Sequence, residues 1–286
     1  MGSYNYVKNT LKLIARKNDY IMGNVKKKAI SNHVNVNYWD RSSECDDRLG
    51  NLGDMLSPIV VKNVLDKYNI DPNMNIKKTA HLYAIGSIIS QGFSDATIWG
   101  SGFLFDPGDS IEAKIKYRMI RKLDVRAVRG PRTKEVFDRL GVKCPAIYGD
   151  PAVLMPLFYR PNIVEKREYR VVLHFRHETL YNDYLSILTN DYKNFIDDLC
   201  SSNLVISGSL HGIILAEAYG IPAIFLQDRP NVYMFKYKDW YESTGRPEFP
   251  IARTVEEALQ ICPPPIPDLQ KMQKHLLDTF PTDLWR

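Results

Sequence analysis

Short apolar runs, "HLYAIG", "ATIWG", "YRVVLHF", "NLVIS" and "AIFL", alternate along most of this chain with stretches whose apolar residues recur at helical spacing. A strand that is apolar on both faces has to be covered on both faces. The alternation therefore specifies βαβ units and a mainly parallel sheet, which makes the fold class α/β. Helices are predicted over Met55 to Tyr68, Ile111 to Arg121, from Pro131 to "GVKC", Tyr192 to Leu199 and Leu210 to Tyr219. Two more follow at "TVEEALQIC" and, beyond "PPPIP", at "DLQKMQKHLLDTF". Pro131 suits a first turn, where its missing N–H has no partner to lose.

Between the two sets of runs, "DPAVLMPLFYRPNIVEKRE" shifts to proline and charge and reads as a linker. It divides the chain into halves at 1–160 and 165–286, with the last helix free to cross back onto the first. With 286 residues and 44% hydrophobic content, each half can fill a core. The net charge of +5 is spread along the chain rather than gathered in a stripe, which argues against nucleic acid and for small anionic ligands. Cys45, Cys144, Cys200 and Cys262 form no CxxC pair, so neither a disulfide framework nor a zinc knuckle is expected, and no metal site is predicted. No apolar run has the length of a membrane span or of a signal peptide core, which points to the cytoplasm. "YVKNTLKLIARK" lines up Val7, Leu11 and Ile14 among basic residues, a helix that packs on its own protein or touches the inner face of a membrane.

The chemistry concentrates at strand ends. "SGSLHG" stands where the strand "NLVIS" turns into a helix, so unpaired backbone N–H groups and the positive helix end converge on one spot suited to an anion. Gly208 and Gly212 allow close approach, Ser207 or Ser209 caps the helix or touches a phosphate, and Leu210 and His211 lie in the first turn. His211 is placed there as a proton donor, against the plainer reading of a packed imidazole. In "NLGD", Asp54 is either the cap of the next helix or a catalytic acid–base group. In "VRGP", Arg129 is aimed at the cleft as an anion clamp or makes a surface salt bridge. Asp150 in "YGDPAV" ends a turn, and "LHFRH" offers His174, Arg176 and His177, of which strand alternation lets one or two face a ligand. The loop "QDRPNVYMFKYKDWYESTG" adds Arg229, Tyr233, Lys236, Trp240 and Tyr241, whose aromatic faces suit a sugar ring. "GSGFLF" has Phe105 where a dinucleotide fingerprint needs its third glycine.

In this order the motifs "NLGD", "WGSG", "VRGPRT", "YGDPA" and "SGSLHGIILAEAYGIP" resemble those of the polysaccharide pyruvyl transferase family, from about Asn37 to Asp228. The resemblance implies two Rossmann-like domains facing a cleft, as in the glycosyltransferase B architecture. It also implies a pyruvyltransferase that moves the enolpyruvyl carbons of phosphoenolpyruvate onto two hydroxyls of a sugar in a cell-surface polysaccharide precursor. A cyclic pyruvate ketal forms and phosphate leaves, with phosphoenolpyruvate as donor substrate and no further cofactor. Carried onto this sequence, the histidine is His211 and the arginine is Arg129. The "NLGD" and "WGSG" blocks add Asn51, Gly53, Gly100, Ser101 and Gly102 to the binding set. Many relatives have an arginine two residues before the histidine; here Ser209 stands there, which gives Arg176 or Lys236 the substitute role. Asp54 is the first candidate base and Asp150 the second. A lipid-linked oligosaccharide acceptor would suit the basic N-terminal segment. A glycosyltransferase using a nucleotide-sugar donor is the alternative, and a non-catalytic glycan-binding protein is the third reading.

Overall fold

The computed structural model describes residues 8, 10–14, 28–29, 34–39, 49–73, 80–163, 165–175, 182–227, 229–230 and 232–286. Two sheets carry the chain. The first orders β1 (Lys28–Ala29), β2 (Val34–Asn37), β3 (Ala80–Tyr83), β4 (Ala96–Trp99) and β5 (Leu123–Ala127), with β1 antiparallel and the rest parallel. The second orders β6 (Arg170–Val172), β7 (Val205–Ser207), β8 (Ala223–Leu226) and β9 (Ile251–Ala252), all parallel. Every residue of β4, β7 and β8 is buried, as expected of strands sandwiched between helices.

The helices are α1 (Leu52–Lys67), α2 (Ile111–Lys114, continuing as a π-helix over Ile115–Ile120), α3 (Pro131–Leu140) and α4 (Tyr192–Cys200). They continue with α5 (Leu210–Ala218), α6 (Met234–Ser243), α7 (Val255–Gln260) and α8 (Gln270–Asp278). Gly141, left-handed at φ 74°, ends α3 where "GVKC" was expected to close it. Helix α6 occupies a segment expected to be a loop, and the short strands β1, β2 and β9 are additional to the expected runs.

The predicted linker opens differently. Residues Pro151–Leu157 form a 3-10 helix whose first five side chains are buried, and it packs against both α1 and α5. A single apolar cluster accordingly runs from Val34 and Leu82 of the first sheet through Val153 and Leu154 to Ile214 and Phe225 of the second half. Two of the segment's three prolines, Pro151 and Pro156, lie within this turn, and the charged run Glu165 to Glu168 comes after it. The C-terminal segment lies on the first sheet: Trp99 Nε1 donates to the Leu276 carbonyl at 2.9 Å, and the Trp99 ring meets Phe280 edge-on at 4.9 Å. Gln273 also reaches Val153 O at 2.8 Å, tying α8 to the 3-10 helix.

Of the opening segment, Leu13 is buried whereas Leu11 and Ile14 are 61% and 43% exposed, so the stripe drawn through Leu11 and Ile14 does not face the core. Val7 lies outside the described residues. Among the described residues, no helix is long and apolar enough to cross a membrane.

Candidate active site

Two helix N-termini meet at the Gly53–His211 contact. In α1 the cap is Asn51, whose Oδ1 accepts from Gly53 N at 3.1 Å. Asp54 is therefore not the cap but a first-turn residue whose carboxylate is released from capping. At α5 the chain leaves β7 and enters the helix at Ser209, whose side chain makes no capping bond. A Cβ on Gly53 would stand 2.0 Å from His211 Nδ1, so only glycine lets the two first turns approach this closely. Both positive helix ends thus point into one region, and negative charge is favoured there.

His211 is 9% exposed, and its Nε2 lies 3.5 Å from Asp150 Oδ2. That is beyond a hydrogen bond, and both atoms are buried without a partner. Asp150 Oδ1 is already engaged, accepting from Ala152 N at 3.0 Å as it caps the 3-10 helix. Asp150 is thus fully buried behind the imidazole, where a small closure would make the carboxylate–imidazole bond that orients a catalytic histidine. Burial raises the Asp54 carboxyl to about 6, with Asp150 adding to the rise and His211 and Lys236 opposing it. Burial, followed by the charges of Arg229 and Arg129, pulls the half-buried Lys236 ammonium down to about 7. A carboxyl and an ammonium both titrating near neutrality suit acid–base work and anion capture.

A cavity of about 480 Å³ opens over these groups. Of the predicted residues, it is lined by Asn51, Asp54, His174, Ser209, Leu210, His211, Arg229, Tyr233 and Lys236. His174 Nδ1 and Arg229 Nη1 are 3.0 Å apart; since arginine can only donate, this nitrogen is the acceptor and Arg229 joins the wall. Sequence reasoning left out Trp39, Ser87 and Gln91, which also line the cavity. Ser87 was accessible as the Gly-Ser turn that ends "HLYAIG", the same signal used at "SGSLHG".

Several expectations are corrected. Arg129 does not reach the cavity: it is 0% exposed, ion-paired with Asp239 at 3.0 Å and bonded to Phe103 O at 2.6 Å and Ser87 Oγ at 2.7 Å. Gly102 makes room for that guanidinium, since a Cβ there would fall 2.5 Å from Arg129 Cζ. Gly100 and Ser101 form the turn beneath, with Ser101 Oγ donating to Gly86 O at 2.8 Å. Ser207 is spent inside, its hydroxyl shared between the carbonyls of Val172 and Ser209 while accepting from Ser209 N. The Gly208 amide donates to Val172 O at 2.9 Å, so it is not one of the free donors. Gly212 packs on the strand, where a Cβ would sit 2.3 Å from Ser207 Oγ. Trp240 and Tyr241 are core side chains, Trp240 donating to Glu217 at 2.9 Å and Tyr241 stacked on Phe249, so neither is a sugar platform. Arg176 and His177 lie outside the described residues. Among the described residues, no cluster of three His, Cys, Asp or Glu side chains is placed to hold a metal ion.

The fold and this cavity define an α/β protein in which a histidine and two carboxylates gather where two helix N-termini approach. The family described as Polysaccharide pyruvyl transferase matches residues 51–228, more than half of the sequence, and the chain belongs to that family. "Succinoglycan biosynthesis protein ExoV" of Rhizobium meliloti (strain 1021) is 28% identical over 182 residues, which cover 59% of this chain and 50% of that protein. "Uncharacterized protein L143" of Acanthamoeba polyphaga mimivirus is 25% identical over 195 residues, 62% of this chain and 64% of that protein. The match thus spans about half the length of the first relative and under two thirds of the second.

Proposed function

We propose that this chain transfers the enolpyruvyl group of phosphoenolpyruvate to a saccharide, forming a cyclic pyruvate ketal and releasing phosphate. The observation that carries the reading is the placement of His211 over two crossing helix N-termini, backed by Asp150 and sharing one cavity with Asp54 and Lys236. The donor is a carboxylate joined to a phosphate and needs cations and N–H groups; Lys236, Arg229 and the first turn of α5 supply them. His211, protonated, gives its proton to the vinyl CH₂, and C2 becomes electrophilic. A sugar hydroxyl, losing its proton to Asp54, attacks C2, phosphate departs with the C–O electron pair, and a second hydroxyl of the same sugar closes the ketal, its proton passing to the now neutral His211. Asp150 stands behind the ring, its Oδ2 3.5 Å from His211 Nε2, where it can hold the imidazole in place during the transfer.

A cavity of about 480 Å³ suits a three-carbon donor together with one sugar ring. The acceptor belongs to a polysaccharide precursor, in our reading a lipid-linked oligosaccharide met at the cytoplasmic face of the membrane. Phosphoenolpyruvate serves as a substrate, and no further cofactor enters the scheme.

Mass spectrometry of candidate oligosaccharides incubated with the enzyme and phosphoenolpyruvate tests this directly, the expected product carrying one pyruvyl ketal. His211→Ala should remain folded and lose about 10²- to 10⁴-fold in turnover, the usual span for a general acid. Unchanged turnover in that variant would remove His211 from the mechanism. Thermal stabilisation by nucleotide sugars but not by phosphoenolpyruvate would favour a glycosyltransferase instead.

A further inference from the structure

Arg129, Asp239 and Ser87 form a buried brace that spans the two halves. Asp239 is 0% exposed, and its carboxylate is saturated: Oδ2 accepts from Arg129 Nε at 3.1 Å and from Thr133 Oγ1 at 2.7 Å, while Oδ1 accepts from Thr133 N at 3.0 Å. The fit is close at the backbone too, since a Cβ on Gly130 would fall 1.9 Å from the Asp239 carbonyl oxygen. Asp239 lies on α6, one turn beyond Lys236, whose ammonium lines the cavity. On its other side Arg129 holds Ser87, which lines the same cavity. The guanidinium therefore holds one wall residue, Ser87, directly and is joined to the other, Lys236, only through Asp239 and the turn of α6 between them, while it does not line the cavity itself.

The geometry points to Arg129 as a positioning residue: acting through Asp239 and Ser87, it fixes Lys236 where the anionic donor docks, and it does not itself bind the donor. This rests on the proposed function only for the identity of the donor. A buried charge pair is suited to setting a unique register between the halves, because every shifted arrangement would leave a charge without its partner. A second tie on the same helix points the same way: Tyr237 donates to Gly208 O at 2.7 Å, so α6 is also anchored to the turn that precedes His211.

The test is a double-mutant cycle on the full chain, with phosphoenolpyruvate affinity measured calorimetrically so that no turnover is required. Arg129→Gln and Asp239→Asn should each weaken donor binding tenfold or more, and the double variant should be no weaker than the worse single. The same should hold when Arg129→Gln is added to Lys236→Met. The double variant, freed of an orphaned charge, should unfold at a higher temperature than either single while donor affinity stays low. That separates positioning from stability. Thr133→Val keeps both charges and serves if the charge variants do not fold; it should weaken donor binding in the same direction and leave the acceptor KM unchanged.

Penalties that multiply in the cycle would make Arg129 a direct donor ligand and overturn the proposal. Wild-type affinity in Arg129→Gln, or in Thr133→Val should that variant have to stand in, would overturn it as well. Failure of ketal formation with intact non-additive binding would refute the proposed function and leave the brace standing. No phosphoenolpyruvate binding by the wild type would refute both.

Discussion

The buried carboxyl of Asp54 should make the protein less stable than it would be without it, by an amount that depends on pH. Its pKa rises from 3.8 to about 6, a gap of roughly 2 units. At ~1.4 kcal/mol per unit, ionising this group in the folded state costs about 3 kcal/mol more than in the unfolded chain. Below about pH 4 both states hold the proton and nothing is lost. Between about pH 4 and 6 the folded state keeps a proton that the unfolded state has released, so stability falls as pH rises; above about pH 7 the full cost applies. Asp54→Asn is nearly isosteric and never ionises. It should therefore match the wild type near pH 4 and exceed it by up to about 3 kcal/mol at pH 7.5, which is about 6 °C in Tm for a chain of this size. Thermal unfolding of both proteins across that range measures it, and the stabilised variant should be inactive in ketal formation. A Tm difference that stays flat with pH, or a variant weaker throughout, would show that the carboxyl is not desolvated as its burial requires.

Further outcomes follow from the same geometry. Gly53→Ala places a methyl 2.0 Å from His211 Nδ1, so the ring must move; turnover should fall by at least 10²-fold, within the range expected for a displaced acid, while calorimetry shows donor binding largely kept. Lys236 is charged below about 7 and neutral above it, so kcat/KM for the donor should decline on the alkaline side, and Lys236→Met should abolish that limb of the pH profile. Leu276→Ala, at a fully buried position under the first sheet, should cost about 2–5 kcal/mol in denaturant unfolding without altering donor affinity in the folded fraction.

Which parts of this could be read from sequence depended on how far apart the deciding residues lie. The runs that became β4, β7 and β8 are apolar throughout because both their faces are covered, and they were plain. Strand β2 is four residues of "VNVN" with half its positions polar, too short and mixed to announce itself. Helix α6 carries its buried Tyr237, Trp240 and Tyr241 at spacings of three and four, yet its lysines, aromatics and neighbouring turn residues read as a binding loop. "NLGD" holds two residues able to cap a helix; the contact of Gly53 with His211, 158 positions away, goes with Asn51 capping and Asp54 facing the site. His211 itself was legible, because a turn, a helix start and a histidine are consecutive. Arg129 was misjudged because its partner stands 110 residues further on, and no local pattern records a buried ion pair.

The seating of α8 on the first sheet has a consequence for how the chain is made. Trp99 is hydrogen-bonded to Leu276 and faces Phe280, and Arg126 reaches Asp283 at 3.0 Å, so the outer layer over β4 and β5 is supplied by α8 and the residues just after it. That stretch leaves the ribosome well after Trp99, since Leu276 follows it by 177 positions. The amino-terminal sheet must wait, with its tryptophan uncovered, until α8 has been made, and a product stopped before α8 would present that bare surface to the chaperones and proteases of the cell.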